Sequence, residues 1–158
     1  MRYLAIDPGL VTGIACYDTN YEHAPYTQEV EGGIIGFVDW WFSYIETNRS
    51  PIWADHVVIE DWRVRANTHK LTPQPDPYLI IGFVQGLCHR YDTPLLKVGP
   101  SEHKKFNGKG KQSKVRRLGW GDSTVDGHDE DACSLLLHAL RQQDRTRFAQ
   151  LMKGITND

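Results

Sequence analysis

The sequence predicts an α/β fold in which helices flank a mixed, five-stranded β-sheet. The first observation is a run of three short β-prone segments at the start of the chain, which predicts an antiparallel meander. The second is that apolar strand-like segments then alternate with longer helix-like segments, a pattern typical of parallel strands joined by helices. The third is a clear amphipathic helix pattern near the end of the chain.

Proline and glycine punctuate the predicted meander. Its strands are predicted at 2–7, 13–17 and 30–38. Pro8 and Gly9 break the first strand, which makes 8–12 a hairpin turn, and the polar segment 18–28 is predicted as a loop. The third strand is predicted from the apolar run Gly-Gly-Ile-Ile-Gly-Phe-Val.

Two further apolar segments complete the sheet and alternate with helices. The aromatic-rich segment 39–48 is predicted as a helix that packs in the core. The apolar run 56–60 is typical of a buried strand, and 95–98 is predicted as the fifth strand. Between them, Pro77 near a first helical position favours a helix over 77–91.

The remainder is predicted as helices and loops. Asp126 is the expected cap of a helix over 126–143, which carries a stripe of alanine and leucine. The other predicted elements are a short helix at 114–118, loops at 61–76 and 100–112, and one or two helical turns with a frayed tail over 144–158.

The composition favours one domain with its own core. The chain has 158 residues, of which 40% are apolar, and this suits a single domain over 1–158. No apolar run approaches the roughly 20 residues of a membrane span, and the apolar start is too short for a signal peptide, so a cytoplasmic protein is expected. The cysteines lack C-x-x-C spacing, which predicts buried, reduced thiols; they are Cys16, Cys88 and Cys133.

The net charge of −2 hides two segments of opposite sign. Residues 1–95 carry 6 Lys+Arg and 12 Asp+Glu, a net −6, whereas residues 96–158 carry 12 and 8, a net +4. Within 97–117 there are 8 basic residues against Glu102 alone, a net +7. Such a stretch is typical of proteins that bind a phosphate backbone, although a solvated surface loop has the same composition.

Three acidic residues stand where the predicted sheet would bring them together. Asp7 ends the first strand, Glu60 ends the fourth, and Asp131 lies in the first turn of the last predicted helix. Carboxylates held close together raise one another's pKa, and a divalent cation among them removes that repulsion. Hard oxygen ligands favour Mg²⁺ or Mn²⁺ over Zn²⁺. His128 shares a helix face with Asp131, which suits an imidazole that binds metal or transfers protons.

Four motifs follow one another in a fixed order along the chain. They are Asp7-Pro-Gly-x-x-x-Gly13, Val-Val-Ile-Glu60, Pro100-Ser-Glu-His-Lys104…Gly108-Lys-Gly110…Lys114, and His128-x-x-Asp131-Ala132. Each motif is modestly specific, but their shared order and spacing are strongly so. Together they resemble the RuvC family of Holliday junction resolvases, within the RNase H-like superfamily. The resemblance spans residues 3 to about 140.

The resemblance implies an RNase H-like nuclease that cuts branched DNA with Mg²⁺, for which Mn²⁺ would substitute. Its metal ligands would be Asp7, Glu60, His128 and Asp131. Two metal ions about 3.5–4 Å apart would clamp the attacking and leaving oxygens, and the nick would carry a 5′-phosphate and a 3′-hydroxyl. Lys104 would act catalytically by offsetting charge on the scissile phosphate. Because the chain has one residue fewer than the family after that lysine, Lys105 is an equal candidate.

Contacts with DNA are predicted from the same resemblance and from the basic stretch. Phosphate contacts are predicted for Lys104, Lys105, Lys109, Lys111, Lys114, Arg116, Arg117, Arg63 and Arg65. Trp62 either intrudes at the junction centre, as an aromatic residue does in the family, or packs against the sheet. Symmetric cutting of a four-way junction requires a twofold dimer, and the family dimerises through the helix that corresponds to 77–91. Gly82 and Gly86 would let a second helix approach closely there.

Three other functions are consistent with parts of this pattern. A related RNase H-like nuclease would act on forks, flaps or RNA hybrids, since the catalytic set is shared and loops select the substrate. A junction-binding protein that does not cut would use the acids structurally. The glycine-rich first hairpin also opens actin-like ATPases and sugar kinases, but these need two such domains, more than 158 residues provide.

Overall fold

A computed structural model of the chain describes residues 1–48, 52–62, 75–108, 113–120 and 127–155. Within these ranges the strands are β1 (Arg2–Asp7), β2 (Val11–Asp18), β3 (Tyr26–Glu31), β4 (His56–Glu60) and β5 (Leu95–Val98). The helices are α1 (Gly33–Asn48), α2 (Asp76–Arg90), α3 (Pro100–Asn107), α4 (Lys114–Arg117), α5 (His128–Gln143) and α6 (Arg145–Ile155). None of these helices is long and apolar enough to span a membrane.

The five strands form one mixed sheet in the order β3-β2-β1-β4-β5. The three N-terminal strands are antiparallel neighbours, whereas β4 runs parallel to both β1 and β5. β1 therefore lies at the centre, and its residues after Arg2 are buried. This architecture confirms the predicted mixed five-stranded α/β fold.

Side-chain alternation along the strands divides the core into two layers. Tyr3 and Ala5 of β1 pack with Val58 of β4 in the layer that α5 covers. Leu4 and Ile6 point to the opposite face and pack with aromatic residues of α1 and apolar residues of α2. By the same alternation, Asp7 and Glu60 follow Ala5 and Val58 on the α5 side of the sheet. All three cysteines are buried free thiols, as predicted.

The prediction of a third strand over 30–38 is wrong. The third strand is β3, which ends at Glu31, and α1 begins at Gly33. Gly32 and Gly33 have φ values of 90° and 59°, so the chain turns sharply at the point where a strand was predicted to continue. The segment predicted as a loop over 18–28 likewise contributes its last residues to β3.

Two polar segments are more helical than predicted. The segment 100–112 was expected to be a loop, but α3 occupies its first eight residues, with Pro100 in the first turn and Gly108 at the C-cap. The segment 144–158 was expected to hold one or two turns, but α6 extends over 11 residues. Asp126, the predicted cap of α5, lies outside the described residues; Gly127 is the N-cap residue, with a φ of 76°.

The N-terminus of α5 lies directly against β2. A Cβ atom on Gly13 would lie 1.9 Å from the carbonyl oxygen of His128, far inside van der Waals contact. Gly13 also pairs with Asp7 in the antiparallel register of β1 and β2. Only a residue without a side chain lets the first turn of α5 reach the end of β1 at this point.

We expect Gly13→Ala to lower the free energy of unfolding by about 1–3 kcal/mol, because the added methyl group overpacks the contact between β2 and α5. Urea denaturation followed by circular dichroism measures this change. Ile35→Ala is the control, because Ile35 on α1 is 73% exposed and lies outside the contact between β2 and α5. In the control, alanine should alter stability by no more than about 1 kcal/mol. Equal stabilities for the two variants would contradict the contact.

Candidate active site

Two carboxylates lie side by side at the ends of two parallel strands. The register of β1 and β4 pairs Ile6 with Ile59, so Asp7 and Glu60 are the next residues along neighbouring strands. Their relative exposures are 6% and 5%, which makes them among the few buried charged residues of the described chain. The sequence pattern of an apolar strand that ends in an acid therefore predicted their meeting correctly.

α5 brings His128 and Asp131 to the same edge of the sheet. The imidazole Nδ1 of His128 lies 3.0 Å from Oδ2 of Asp7. Its main-chain N–H donates to the carboxylate of Glu29 on β3 at 3.1 Å. Asp131 follows one helical turn later and is about two-thirds buried, with a side-chain exposure of 32%.

α3 adds a cation to this group of acids. The ammonium Nζ of Lys104 lies 2.8 Å from Oδ2 of Asp131 and 3.9 Å from Oε2 of Glu60. Lys104 therefore bridges acids that belong to α5 and β4. We call Asp7, Glu60 and Asp131 the acidic cluster.

Crowding of the acidic cluster is visible in its electrostatics. Burial raises the pKa of Asp7, the hydrogen bond from His128 lowers it, and the nearby charges of Glu60 and Asp131 raise it again, so the pKa is above its ordinary value. Burial lowers the pKa of Lys104, but the hydrogen bond to Asp131 and the charges of the other two acids outweigh this and raise it. The cluster thus stabilises positive charge.

The donor set of the acidic cluster suits a hard divalent cation, since its oxygen atoms are the ligand type that Mg²⁺ prefers. The arrangement is not that of a formed metal site. Among the side chains that the structure describes, no three Asp, Glu, His or Cys groups are arranged to hold a metal ion. In this conformation the Lys104 ammonium contacts Asp131, and His128 contacts Asp7. The ligand types therefore fit a metal ion, whereas in this conformation the acids are paired with Lys104 and His128.

A cavity of about 660 Å³ opens beside the acidic cluster. Its lining residues are Lys104, Lys105, Asn107, Gly108, Gly127, Glu130 and Asp131. Both lysines that the sequence left interchangeable thus face the cavity, but only Lys104 forms ion pairs with the acidic cluster. The geometry distinguishes the two residues in a way that motif spacing did not.

The predicted DNA-binding residues of α4 have partners within the protein. Lys114 donates to the main-chain carbonyl of Phe106 and stacks its ammonium 4.7 Å from that ring. Arg116 pairs with Glu130 at 2.8 Å, and Arg117 donates to the carbonyl of Ile155. Four other predicted phosphate contacts lie outside the described residues: Arg63, Arg65, Lys109 and Lys111.

Trp62 packs against the protein in this structure. Its ring meets Tyr78 of α2 edge to face, with centroids 5.2 Å apart, and it borders the core layer beneath α1 and α2. This arrangement agrees with the packing role considered for Trp62. Whether Trp62 also contacts a DNA junction stays a prediction.

Sequence reasoning missed His103, which is fully buried beside the acidic cluster. Its Nε2 atom lies 2.7 Å from Oε2 of Glu60, and its Nδ1 atom lies 3.0 Å from Oγ of Ser134. The segment was predicted as a loop, so nothing indicated which of its side chains faces inward. The proline at the start of α3 and the glycine at its end are helix-boundary signals that would have predicted the helix.

The sheet order, the crossing helix α5 and the acids at the ends of β1 and β4 define an RNase H-like fold of the RuvC type. Comparison with solved structures supports this assignment. The chain is similar to Thermus thermophilus RuvC in complex with a Holliday junction substrate, with a TM-score of 0.64, 15% identity, and coverage of 92% of this chain and 97% of that one. A second structure of Thermus thermophilus RuvC gives a TM-score of 0.58 and 16% identity, with 92% and 98% covered.

The yeast mitochondrial Holliday junction resolvase Ydc2 is a more distant match, with a TM-score of 0.49, 13% identity, and coverage of 99% of this chain and 80% of that one. No protein-family model matches the sequence, and no curated protein does. The two Thermus thermophilus RuvC structures confirm, at the level of fold, the resemblance that the motifs indicated.

The contact between His128 and Asp7 predicts a measurable titration. The hydrogen bond to Asp7 raises the pKa of His128 and outweighs burial, so it should titrate above 6.5 in the folded protein. Its contribution to stability should be present below pH 6.5 and be lost as the pH rises through the raised value. NMR of protein labelled at histidine measures this pKa.

Asp7→Asn should shift the pKa of His128 back towards 6.5. Asp55→Asn is the control, because Asp55 pairs with Arg2 at the opposite ends of β4 and β1. A wild-type pKa at or below 6.5, or equal values in the two variants, would contradict the contact.

Proposed function

We propose that this chain is a divalent-metal-dependent endonuclease that resolves Holliday junctions by paired, symmetric nicks, acting as a single nuclease domain. The observation that carries the proposal is the acidic cluster with Lys104, gathered from β1, β4, α5 and α3 at one edge of a RuvC-type fold. A protein of the same fold, Thermus thermophilus RuvC, was solved in complex with a Holliday junction substrate.

In this proposal the cation is Mg²⁺, with Mn²⁺ as a substitute. Its ligands are the acidic cluster together with the imidazole of His128. When bound, the cation polarises the scissile phosphate and lowers the pKa of an attacking water. The raised pKa of Asp7 supports the assignment, because burial and the neighbouring acids leave that carboxylate short of compensating positive charge.

The side chains around the cluster have separate tasks. Burial of Asp7 and Glu60 excludes water and strengthens the interaction of these carboxylates with any cation. His128 donates a proton from Nδ1 to Asp7 and must give up that hydrogen bond to bind a metal itself. Lys104 must likewise leave Asp131, and its ammonium is then available to offset charge on the phosphate.

The DNA path is proposed to cross the cavity beside the acidic cluster. Lys104 and Lys105 line that cavity. The other proposed DNA contacts are those predicted from the sequence: Lys109, Lys111, Lys114, Arg116, Arg117, Arg63, Arg65 and Trp62. Arg116 and Arg117 have internal partners, but a guanidinium carries five donors and can serve a phosphate as well.

We also propose a homodimer in which α2 is the contact. Leu79 is 50% exposed on this helix, and Gly82 and Gly86 follow on the same exposed face with open space around them. Ile80 and Val84 point the other way and are fully buried. A glycine-lined apolar face on an exposed helix suits close approach of a second copy of that helix, which two symmetric cuts require.

One observation favours a junction-binding protein that does not cut. The contacts of Lys104 with Asp131 and Glu60 provide the acidic cluster with positive charge from the protein itself. With this charge supplied by Lys104, the acidic cluster could be structural and would need no metal ion. A cleavage assay separates this alternative from the proposed nuclease.

The proposed nuclease should cleave a synthetic four-way junction in Mg²⁺, and this cleavage should be absent in EDTA. Asp7→Asn should slow cleavage by at least about 100-fold, since even partners of metal ligands contribute about 10–100-fold, while junction binding persists. Asp55→Asn is the matched control, because this exposed acid lies at the other end of the same two strands, and it should cut at the wild-type rate.

Linear duplex, forks, flaps and RNA hybrids complete the assay. Junction binding without cutting in either Mg²⁺ or Mn²⁺ would favour the non-cutting alternative. Equal cutting of all branched or hybrid substrates would keep the nuclease and remove its selectivity for junctions.

The proposed dimer predicts that the wild-type protein sediments as a dimer at micromolar concentration, whereas the Leu79→Glu variant sediments as a monomer. The charge would be buried without a partner in the proposed contact between the two copies of α2. Tyr21→Glu serves as control, because Tyr21 is 61% exposed on the turn between β2 and β3, away from α2. A wild-type monomer, or a dimer that Leu79→Glu leaves intact, would contradict the proposed interface.

A further inference from the structure

His103 lies beside the acidic cluster and is fully buried, with a relative exposure of 0%. It belongs to α3 and lies between two other elements of the site. Nε2 is 2.7 Å from Oε2 of Glu60 on β4, and Nδ1 is 3.0 Å from Oγ of Ser134 on α5. At this burial the imidazole cannot touch a DNA substrate, so any role in the reaction is exerted through Glu60.

The hydrogen bond between His103 and Glu60 has a defined direction. An ionised carboxylate only accepts hydrogen bonds, so Nε2 carries the proton and donates it to Glu60. Ser134 touches the ring at Nδ1 and also donates its hydroxyl to the main-chain carbonyl of His103 at 3.2 Å. These two contacts hold both the ring and the backbone of His103 against α5.

Two consecutive residues of α3 contact different acids of the acidic cluster. His103 contacts Glu60, and the next residue, Lys104, contacts Asp131. Ser134, which holds His103, lies one helical turn after Asp131 on α5. Through this set of contacts, the position of Glu60 on the sheet is tied to the position of Asp131 on the covering helix.

The burial of His103 costs free energy that an apolar residue of similar size would avoid. The contact with Glu60 gives this buried imidazole a partner and a task. Both His103 and Lys104 approach Oε2 of that carboxylate rather than Oε1. A carboxylate held by one oxygen has a fixed orientation, and hydrogen bonds of this kind to metal-binding carboxylates tune metal affinity.

We propose that His103 is a positioning residue that holds Oε2 of Glu60 and thereby fixes the orientation of this carboxylate within the acidic cluster. This inference rests on the proposed function, since it assumes that Glu60 binds the cation. It assigns to a residue outside the predicted ligand set the task of orienting one of the ligands.

The test compares two amide variants of the full chain, His103→Gln and His103→Asn. The amide nitrogen of glutamine reaches the position of Nε2 and retains the donor to Glu60, whereas that of asparagine reaches only the position of Nδ1 and contacts Ser134 alone. Isothermal titration with Mn²⁺, without DNA, measures cation affinity. His138→Asn is the matched control. His138 is also buried, with a relative exposure of 8% on α5, but its Nε2 atom contacts Gln142 instead of an acid.

We expect His103→Asn to bind Mn²⁺ about 10–100-fold more weakly than wild type, and His103→Gln to remain within a few-fold of it. His138→Asn should bind Mn²⁺ as wild type does. Equal Mn²⁺ affinities for the glutamine and asparagine variants would overturn the positioning role. If neither His103 variant folds, Ser134→Ala decides: weaker Mn²⁺ binding is expected, and unchanged binding would overturn the proposal.

The proposed function and this inference fail in different ways. Wild-type protein that binds no Mn²⁺ would overturn the metal site and the positioning role together, whereas wild-type binding with equal variants would overturn the role of His103 alone. A readout independent of metal comes from NMR of histidine-labelled protein without cations. The Nε2–H proton of His103 should be protected from solvent exchange and shifted downfield, and Glu60→Gln should move it upfield; an exchanging, unshifted proton would overturn the proposal.

Discussion

Carboxylates at the ends of two adjacent parallel strands lie close together and repel one another. The contacts around this candidate site follow from that repulsion. Asp7 and Glu60 are neighbours in the sheet, both are more than nine-tenths buried, and Asp131 approaches them from α5. Removing such charges from water is costly unless opposite charge or hydrogen bonds compensate for it. Among the described residues, three side chains supply part of this compensation: His128 for Asp7, His103 for Glu60, and Lys104 for Asp131.

The same constraint explains why the helices lie where they do. α5 brings His128 and Asp131 to the cluster only because Gly13 has no side chain to block the first turn of the helix. α3 supplies a buried histidine and a lysine from consecutive positions, so that one helix serves two acids on different elements. The protein thus satisfies its acids with its own cations and donors, and a divalent metal would have to displace some of these contacts. In the proposed function, competition of this kind would couple metal binding to the release of Lys104 from Asp131.

Positive φ angles at two glycines and the polar character of α3 explain why the strand predicted over 30–38 and the loop predicted over 100–112 were wrong. The run from Gly32 to Val38 is apolar enough for a strand, but positive φ angles at Gly32 and Gly33 turn the chain, after which Phe37 and Trp41 follow at helical spacing into the core. α3 has no apolar stripe, so periodicity did not reveal it. Its buried face is formed by His103 and Asn107, whose burial is favourable only because partners from other elements meet them.

The sequence by itself determined the mixed sheet, the positions of β1, β4 and β5, and the acids that end two of those strands, because strand-forming patterns and chain breaks are local properties. It also determined that His128 and Asp131 share a helix face, since that follows from helical spacing alone. Only the tertiary structure decided that Lys104 rather than Lys105 pairs with the acids, that Trp62 packs on Tyr78, and that His103 holds Glu60. These contacts join residues far apart in the chain, and their geometry depends on how helices dock on the sheet, which no local pattern encodes.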